Sequence, residues 1–312
     1  MDYRILGRTG LHASVMGIGA GGPSRLGQRD SIRTEAESID LVLQGLDAGI
    51  NFIDTAEGYR TEEIVGAAIA RRDRGRIIIS TKKSLGRENI SRAALQNGLH
   101  ESLRRLRTDY IDVYHLHGLR SEQYDYYYDE MAPLLLDLKR QGLIRCIGVT
   151  ENWTDDLEHK MLQRALEDDV WDVIMVGFNL LNQGARETVL RVASEKNIGV
   201  LIMFALRRAL SRPERLRQIL RTLSERGEIS PDEVDIEDPL GFLLADGSAV
   251  SIQDAAYRFC RAEAGAHVIL SGTGDPRHLA DNLESFARPP LPPEHIKRLK
   301  QIFRDVTSET GQ

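Results

Sequence analysis

The sequence predicts an α/β fold of one kind, a closed (β/α)8 TIM barrel preceded by an N-terminal β-hairpin. Apolar strand-like runs alternate with amphipathic helical runs along the 312 residues. Each strand-like run is apolar on both faces, as expected of parallel strands that are covered by helices. Eight such runs are the number that closes a barrel. They span residues 15–19, 52–56, 77–81, 111–116, 144–149, 173–178, 200–204 and 267–271.

Two signals near the N-terminus agree with this prediction. Residues 3–11 contain a turn signal that ends in Gly10 and lies between short apolar pieces, which predicts a hairpin ahead of the barrel. Thr34 and Glu37 have the spacing of a capping box, so we expect the first long helix over about residues 35–48.

One segment falls outside the repeating pattern. Residues 207–250 form a long insertion after strand seven and include a predicted helix at about residues 213–226. A loop of this length in a compact domain is usually a lid or a binding loop. Because no linker interrupts the pattern, we predict a single barrel domain over residues 1–312.

Composition excludes several classes of function. The formal net charge of −6 argues against nucleic acid as a partner, because phosphate binding needs a basic surface. Two cysteines provide no disulfide framework and suit a reducing compartment. No apolar run approaches the roughly 20 residues of a membrane span. We therefore expect a cytoplasmic protein whose partner is a small molecule, with no membrane contact.

Ionisable side chains stand at the ends of three consecutive predicted strands. Asp54 and Tyr59 follow the second strand, Lys82 follows the third, and His117 follows the fourth. In a parallel barrel these ends share one face, and that face carries the chemistry in barrel enzymes. The sequence therefore predicts an active site built from a carboxylate, a phenol, an amine and an imidazole.

These four groups suit proton transfer to a carbonyl oxygen. A phenol has a pKa near 10, and an adjacent ammonium favours the phenolate and lowers that pKa. Tyr59 can then donate a proton to a carbonyl oxygen as hydride reaches the carbon, or accept it in the reverse direction. Asp54 is expected to hold Lys82 charged and oriented, and His117 to hydrogen-bond the carbonyl oxygen.

Two motifs suggest other functions and are set aside. Residues 17–22 match G-x-G-x-x-G, but a dinucleotide fingerprint needs a helix to begin on its last glycine, and here the helix begins near Glu35. His115 and His117 have a spacing that recurs in metal sites. Since no later strand end supplies another histidine, we predict no metal and disfavour a metal-dependent hydrolase.

Several short motifs together resemble the aldo-keto reductase superfamily and occur in that family's order. The resemblance covers about residues 3–286 and implies a barrel that reduces carbonyl compounds with NADPH or NADH. It makes Asp54, Tyr59, Lys82 and His117 the catalytic tetrad, with Tyr59 as the acid/base. The motifs are Leu6-Gly-Arg-Thr-Gly-Leu11, Phe52-Ile-Asp-Thr-Ala56 with Tyr59, Ser80-Thr-Lys82, His117, Ile147-Gly-Val-Thr150, Phe178-Asn-Leu-Leu181, and Leu270-Ser-Gly-Thr-Gly-Asp275 with Asn282.

The resemblance also implies contacts with the nicotinamide, where this chain departs from the family. The family usually has Ser-Asn after strand five and Gln on strand six, and both hold the carboxamide. In this chain Thr150 and Glu151 replace the Ser-Asn pair, and Met175 replaces the Gln. Phe204 takes the place of the aromatic residue that stacks on the nicotinamide ring.

At the adenosine end the family often has Lys and Arg around the 2′-phosphate. Gly272 and His278 occupy those positions here, so the candidates to supply a guanidinium, which suits phosphate, are Arg277, or Arg207 and Arg208 from the long insertion. We predict NADP(H) as the favoured cofactor and NAD(H) as the alternative. The predicted residues at this end are Arg207, Gly272, Thr273, Gly274, Asp275, Arg277, His278, Asp281 and Asn282.

The predicted function is therefore an NAD(P)H-dependent oxidoreductase that reduces an aldehyde or ketone to an alcohol, or runs the reverse reaction. A second possibility is a cofactor-binding regulatory or accessory protein of the same fold with little or no turnover. The intact set of four ionisable residues favours the enzyme. Glu151 and Met175 at the carboxamide position favour the alternative.

Overall fold

A computed structural model describes residues 1–29 and 32–312 of the chain. Eight parallel strands close into a barrel, and an antiparallel two-stranded hairpin precedes them, as the sequence predicted. The hairpin consists of β1 (Tyr3–Ile5) and β2 (His12–Ser14). The barrel consists of β3 (Met16–Gly19), β4 (Phe52–Asp54), β5 (Ile78–Ser84), β6 (Ile111–Leu119), β7 (Ile144–Glu151), β8 (Val173–Gly177), β9 (Gly199–Met203) and β10 (Val268–Ser271), with β10 pairing β3 and β9.

Helices cover the outside of the barrel and bury their apolar faces against it. The first of them begins with the predicted capping box, in which Thr34 accepts from the amide of Glu37 and its own amide donates to the Glu37 carboxylate. The helices are α1 (Glu35–Asp47), α2 (Glu62–Ile69), α3 (Arg92–Leu106), α4 (Tyr124–Arg140), α5 (Lys160–Ala165), α6 (Arg191–Glu195), α7 (Pro213–Glu225), α8 (Phe242–Ala245), α9 (Ile252–Ala262), α10 (Pro276–Ala287) and α11 (Pro293–Ile302).

The hairpin closes the amino-terminal end of the barrel. Leu6 and Leu11 are buried and pack in one cluster with inward side chains of the strands, including Phe52, Cys146 and Val268. Because this end is filled with apolar side chains, the open end of the barrel is the carboxyl-terminal one.

Three strands extend further than the sequence predicted. The ladder between β5 and β6 continues to the pair of Ser84 with His117, and that between β6 and β7 continues to the pair of Leu119 with Glu151. Lys82, His117 and Glu151 therefore lie within strands, whereas the prediction placed all three after the ends of their strands. Strand pairing fixes their backbones more firmly than a loop would.

The insertion after β9 contains α7 and α8. Helix α7 lies where the sequence predicted a helix and buries Leu216, Ile219, Leu220 and Leu223. In the part of the chain that the structure describes, no helix has the length and apolar character needed to cross a membrane.

Candidate active site

Four ionisable side chains meet at the carboxyl-terminal end of the barrel. Asp54 ends β4, Lys82 and His117 belong to β5 and β6, and Tyr59 lies in a short 3-10 turn after β4. Lys82 Nζ lies 2.5 Å from Asp54 Oδ2 and donates a second hydrogen bond, of 2.8 Å, to the carbonyl oxygen of Thr55. Tyr59 Oη lies 3.3 Å from His117 Nε2. The structure thus brings together the four residues that the sequence placed at one site.

Strand alternation decides which of two adjacent lysines enters this site. Successive strand residues point to opposite faces, so Lys82 and Lys83 cannot both face the barrel interior. The side chain of Lys82 is fully buried against Asp54. Lys83 points outward and pairs with Glu57 at 3.0 Å, which agrees with the choice of Lys82 from the sequence.

Close neighbours fix the ring of Tyr59. The ring packs against Gly21, where an added Cβ would come within 2.3 Å of it. The imidazole of His117 meets the ring edge-on, with centroids 5.4 Å apart and planes at 87°. Lys82 Nζ lies 5.1 Å from the ring centroid. The phenol is therefore held in one orientation, beside a cation and an imidazole.

Burial dominates the titration of these groups. It raises the pKa of Asp54, against the opposing effects of Lys82 and Ser80, and it raises the pKa of Tyr59. It lowers the pKa of His117 from 6.5 to about 3, and the charge of Lys82 acts in the same direction. The Lys82 ammonium does lower the pKa of Tyr59, as the sequence predicted, but desolvation outweighs it. At neutral pH the site holds a protonated phenol and a neutral imidazole.

The first histidine of the His-x-His pair, His115, faces a serine in the barrel interior. His115 Nε2 lies 3.0 Å from Ser80 Oγ, and Ser80 donates to Asp54 Oδ1 at 2.7 Å. Within residues 1–29 and 32–312, no group of three or more His, Cys, Asp or Glu side chains is placed to hold a metal ion. His115 instead hydrogen-bonds to the serine that supports Asp54.

A cavity of about 300 Å³ opens at these side chains, and Asp54, Tyr59 and His117 form part of its wall. Trp153 is a further wall residue, and its ring is nearly parallel to that of Phe204, with centroids 6.0 Å apart. The wall also contains all four residues that the resemblance placed around the nicotinamide, namely Thr150, Glu151, Met175 and Phe204.

Glu151 has a hydrogen-bonding partner that no sequence pattern indicated. Its two carboxylate oxygens lie 3.0 and 2.9 Å from Nδ1 of His159, and one accepts from the amide of Gly177 at 2.8 Å. Burial raises the pKa of Glu151, and these hydrogen bonds oppose that effect. His159 lies in an irregular segment after β7, so periodicity could not indicate its direction.

A second cavity, of about 520 Å³, continues from the first and shares Leu206, Tyr257 and Gly272 with it. Two joined cavities at the open end of the barrel suit an extended dinucleotide. Five of the residues predicted for the adenosine end line this second cavity, namely Gly272, Thr273, His278, Asp281 and Asn282.

Three of the remaining residues predicted for this end, Gly274, Asp275 and Arg277, lie close by but are not in the cavity wall. Gly274 packs against the backbone of Gly27. A Cβ added to Gly274 would lie only 2.5 Å from the amide nitrogen of Gly27. Asp275 caps α10 by accepting from the amide of Arg277. The guanidinium of Arg277 pairs with Asp275 at 2.9 Å, and its side chain is 87% exposed.

Arg288 lines the second cavity and was not predicted from the sequence. Its guanidinium contacts Asp254 at 3.3 Å and Glu284 at 2.9 Å. It follows α10 directly, outside the motif that ends at Asn282. The motif therefore gave no reason to select it.

Arg207 lies near the nicotinamide end of the site. Its guanidinium carbon is 3.9 Å from the ring centroid of Phe204 and 5.9 Å from that of Trp153, and Nη2 donates to Thr310 Oγ1 at 3.0 Å. Burial lowers the pKa of Arg207 to about 10. Its role at a 2′-phosphate stays a prediction, since the guanidinium in the wall of the second cavity belongs to Arg288.

Comparison with known proteins identifies the family. The model of the Aldo/keto reductase family matches residues 16–304. The chain belongs to the aldo-keto reductases. Proteins of this family are oxidoreductases that use nicotinamide cofactors, and the family fits a small carbonyl compound as substrate.

Individual relatives agree with this assignment. The chain is 26% identical over 312 residues to the uncharacterized oxidoreductase YqkF of Bacillus subtilis (strain 168), with 96% of each chain covered. It is 28% identical over 228 residues to the NADH-specific methylglyoxal reductase of Escherichia coli (strain K12), covering 66% of this chain and 67% of the relative. The holo form of aldo-keto reductase AKR11C1 from Bacillus halodurans has the same fold, with a TM-score of 0.73 and 23% identity, covering 97% of this chain and 96% of that one.

Proposed function

We propose that this aldo-keto reductase reduces an aldehyde or ketone to an alcohol with hydride from NAD(P)H, and that Tyr59 is its acid/base. The observation that carries the proposal is the buried Lys82–Asp54 pair beside the phenol of Tyr59, in the wall of a cavity at the open end of the barrel. The paired cavities leave room for a dinucleotide and a small substrate.

The nicotinamide, when bound, supplies a hydride to the carbonyl carbon. The electron pair of the carbon–oxygen double bond then moves to the oxygen, which takes the proton of Tyr59. The phenolate that remains is stabilised by the Lys82 ammonium, which Asp54 holds in place by a hydrogen bond. His117 is neutral, and in the tautomer that carries its proton on Nε2 it can donate to the substrate oxygen near Tyr59 Oη.

A Tyr59→Phe variant tests the assignment of the acid/base. It keeps the aromatic packing and removes the proton that the alcohol oxygen needs. We expect kcat to fall by at least about a hundredfold, in line with general acid catalysis, while the Kd of NADPH changes little. Wild-type turnover in this variant would exclude Tyr59 from that role.

A second candidate function is a cofactor-binding regulatory or accessory protein with little or no turnover. The observation in its favour is the carboxamide end of the site, where Glu151 is already bonded to His159 and Met175 offers no hydrogen bond. A screen of aldehydes, ketones, quinones and sugars with NADPH and NADH separates the two functions. Tight cofactor binding without turnover of any compound would favour this candidate.

For the cofactor we propose NADP(H), with NAD(H) second. Arg288 in the wall of the second cavity supports this choice, because a guanidinium suits a 2′-phosphate. Its existing contacts with Asp254 and Glu284 make the grip weaker than that of an unpaired cation. We expect Arg288→Ala to raise the Kd of NADPH about tenfold and to leave that of NADH nearly unchanged. Tighter binding of NADH than of NADPH by the wild type would overturn the choice.

A further inference from the structure

A second layer of buried polar side chains lies behind the Lys82–Asp54 pair, and the proposed reaction does not use it directly. Ser80 Oγ donates to Asp54 Oδ1 at 2.7 Å, and His115 Nε2 lies 3.0 Å from the same hydroxyl. Ser80 and His115 are fully buried, and Asp54 is 3% exposed. The layer is a chain of three side chains that reaches inward from the site.

The number of available protons fixes the direction of these hydrogen bonds. A serine hydroxyl has one proton, and an ionised carboxylate can only accept. Since Ser80 donates to Asp54, its oxygen must accept from Nε2–H of His115. Burial and the charge of Lys82 hold the pKa of His115 well below its usual value. His115 is therefore neutral, with its proton on Nε2.

We propose that Ser80 and His115 are positioning residues for Asp54, an inference that rests on the proposed function. His115 directs the hydroxyl of Ser80 toward one carboxylate oxygen, which leaves the other oxygen aimed at Lys82. The hydroxyl also stabilises the ionised carboxylate, because a hydrogen bond to a charged form favours that form. Because the chain of hydrogen bonds ends at a fully buried imidazole, it orients groups and does not carry protons from solvent.

The barrel makes specific room for this arrangement. Asp54 is the register partner of Ser80 across β4 and β5, and His115 is the register partner of Gly148 across β6 and β7. A Cβ at position 148 would come within 2.2 Å of His115 Nδ1. A side chain there would therefore displace the imidazole from Ser80.

The ionisable and polar groups that face Asp54 determine which residue of the site changes charge at mildly acidic pH. They are Lys82 and Ser80 on β5, His115 and His117 on β6, and Tyr59 in the turn after β4. The pKa values of both histidines are strongly lowered and that of Tyr59 is raised, so none of these three changes charge at mildly acidic pH. Among these groups, Asp54 is the one whose protonation we expect to lower activity on the acid side.

A Ser80→Ala variant tests the inference through the pH profile of kcat. Loss of the donor raises the pKa of Asp54, so the acid limb should move to higher pH by about one unit. At neutral pH we expect kcat to fall up to about tenfold, while the KM of the carbonyl compound and the Kd of the cofactor stay within about twofold.

Two variants of His115 separate positioning from packing. His115→Leu fills similar space without a donor and should shift the acid limb in the same direction by a smaller amount. His115→Gln restores an N–H donor and should return the profile to that of the wild type. Ser102→Ala is the control, because Ser102 is also fully buried and its hydroxyl has no partner among the described residues. Melting temperatures establish that each variant is folded, and the two His115 variants decide the question if Ser80→Ala does not fold.

The outcomes distinguish this inference from the function on which it rests. A wild type that turns over no carbonyl compound with either nucleotide would refute the proposed function. A wild type that turns over while Ser80→Ala and His115→Leu keep its pH profile would overturn the positioning role alone. Equal shifts in His115→Leu and His115→Gln would show that His115 acts by packing.

Discussion

Replacement of Lys82 by methionine tests the central interaction of the site by its effect on stability as well as activity. The side chain of Lys82 is fully buried and that of Asp54 is 4% exposed, at 2.5 Å from each other. Lys82→Met leaves the carboxylate buried without its cation. Breaking a buried pair in this way costs about 3–5 kcal/mol, because an uncompensated charge remains.

This cost converts into a measurable melting shift. Unfolding entropy is about 2.1 cal/mol/K per residue, or about 0.65 kcal/mol/K for 312 residues. We therefore expect Lys82→Met to lower Tm by about 5–8 °C at neutral pH. Lys83→Met is the matched control, because its partner Glu57 is partly exposed and keeps water contact after the substitution. A smaller loss is expected there.

The pH dependence of the loss has a defined sign. Without the ammonium, the pKa of Asp54 in the folded protein rises further above its unfolded value of about 3.9. The folded protein then binds a proton that the unfolded chain has released, so stability falls as pH rises through that window. The deficit of Lys82→Met should be smallest below about pH 4 and largest at neutral pH. An equal deficit at all pH values, or one no larger than that of Lys83→Met, would refute the reasoning.

Two further predictions follow from the packing and titration of the site. In Gly21→Ala the new Cβ meets the ring of Tyr59 at 2.3 Å, so the phenol must shift and kcat should fall by about a hundredfold; Gly86→Ala, whose Cβ would have 3.9 Å of clearance, should keep wild-type kcat. Because the pKa of His117 is lowered to about 3, the unfolded chain binds a proton below pH 6.5 that the folded protein does not. The free energy of unfolding, measured with urea, should therefore decrease between pH 7 and pH 5, and this decrease should be about 2 kcal/mol smaller in His117→Gln than in the wild type. Equal decreases in the two proteins would contradict the lowered pKa.

The order of elements and the four ionisable residues could be predicted from the sequence because they depend on local patterns. Apolar runs locate strands, and a polar residue at the end of such a run must lie at the mouth of a barrel. The alternation of side chains along a strand also explains why Lys82, and not its neighbour Lys83, enters the barrel. The ends of strands were less predictable, since β5 and β6 continue by pairing with each other beyond their apolar cores.

The supporting residues depend on register and on long-range contacts, which no local pattern encodes. Ser80 meets His115 only because β5 pairs with β6 in one register. Glu151 finds His159 through an irregular segment, and its bond to Gly177 crosses to another strand. Arg288 reaches the second cavity from the far end of α10. Most of these contacts join residues that are far apart in the sequence, so they could be recognised only in the folded barrel.

The buried Lys82–Asp54 pair bears on the choice between an enzyme and an accessory protein. Removing two charges from water costs several kcal/mol for each ion, and apolar residues of similar volume often give an equally or more stable fold. The pair is therefore weak evidence for a structural role. The contacts of the pair favour a catalytic role instead. The hydroxyl of Ser80 stabilises the carboxylate of Asp54, and Lys82 Nζ lies close to the ring of Tyr59. A double variant, Asp54→Leu with Lys82→Met, should accordingly recover most of the stability that Lys82→Met loses and remain inactive. If the double variant were as unstable as the single one, the pair would be a structural element, and the argument from it to catalysis would fail.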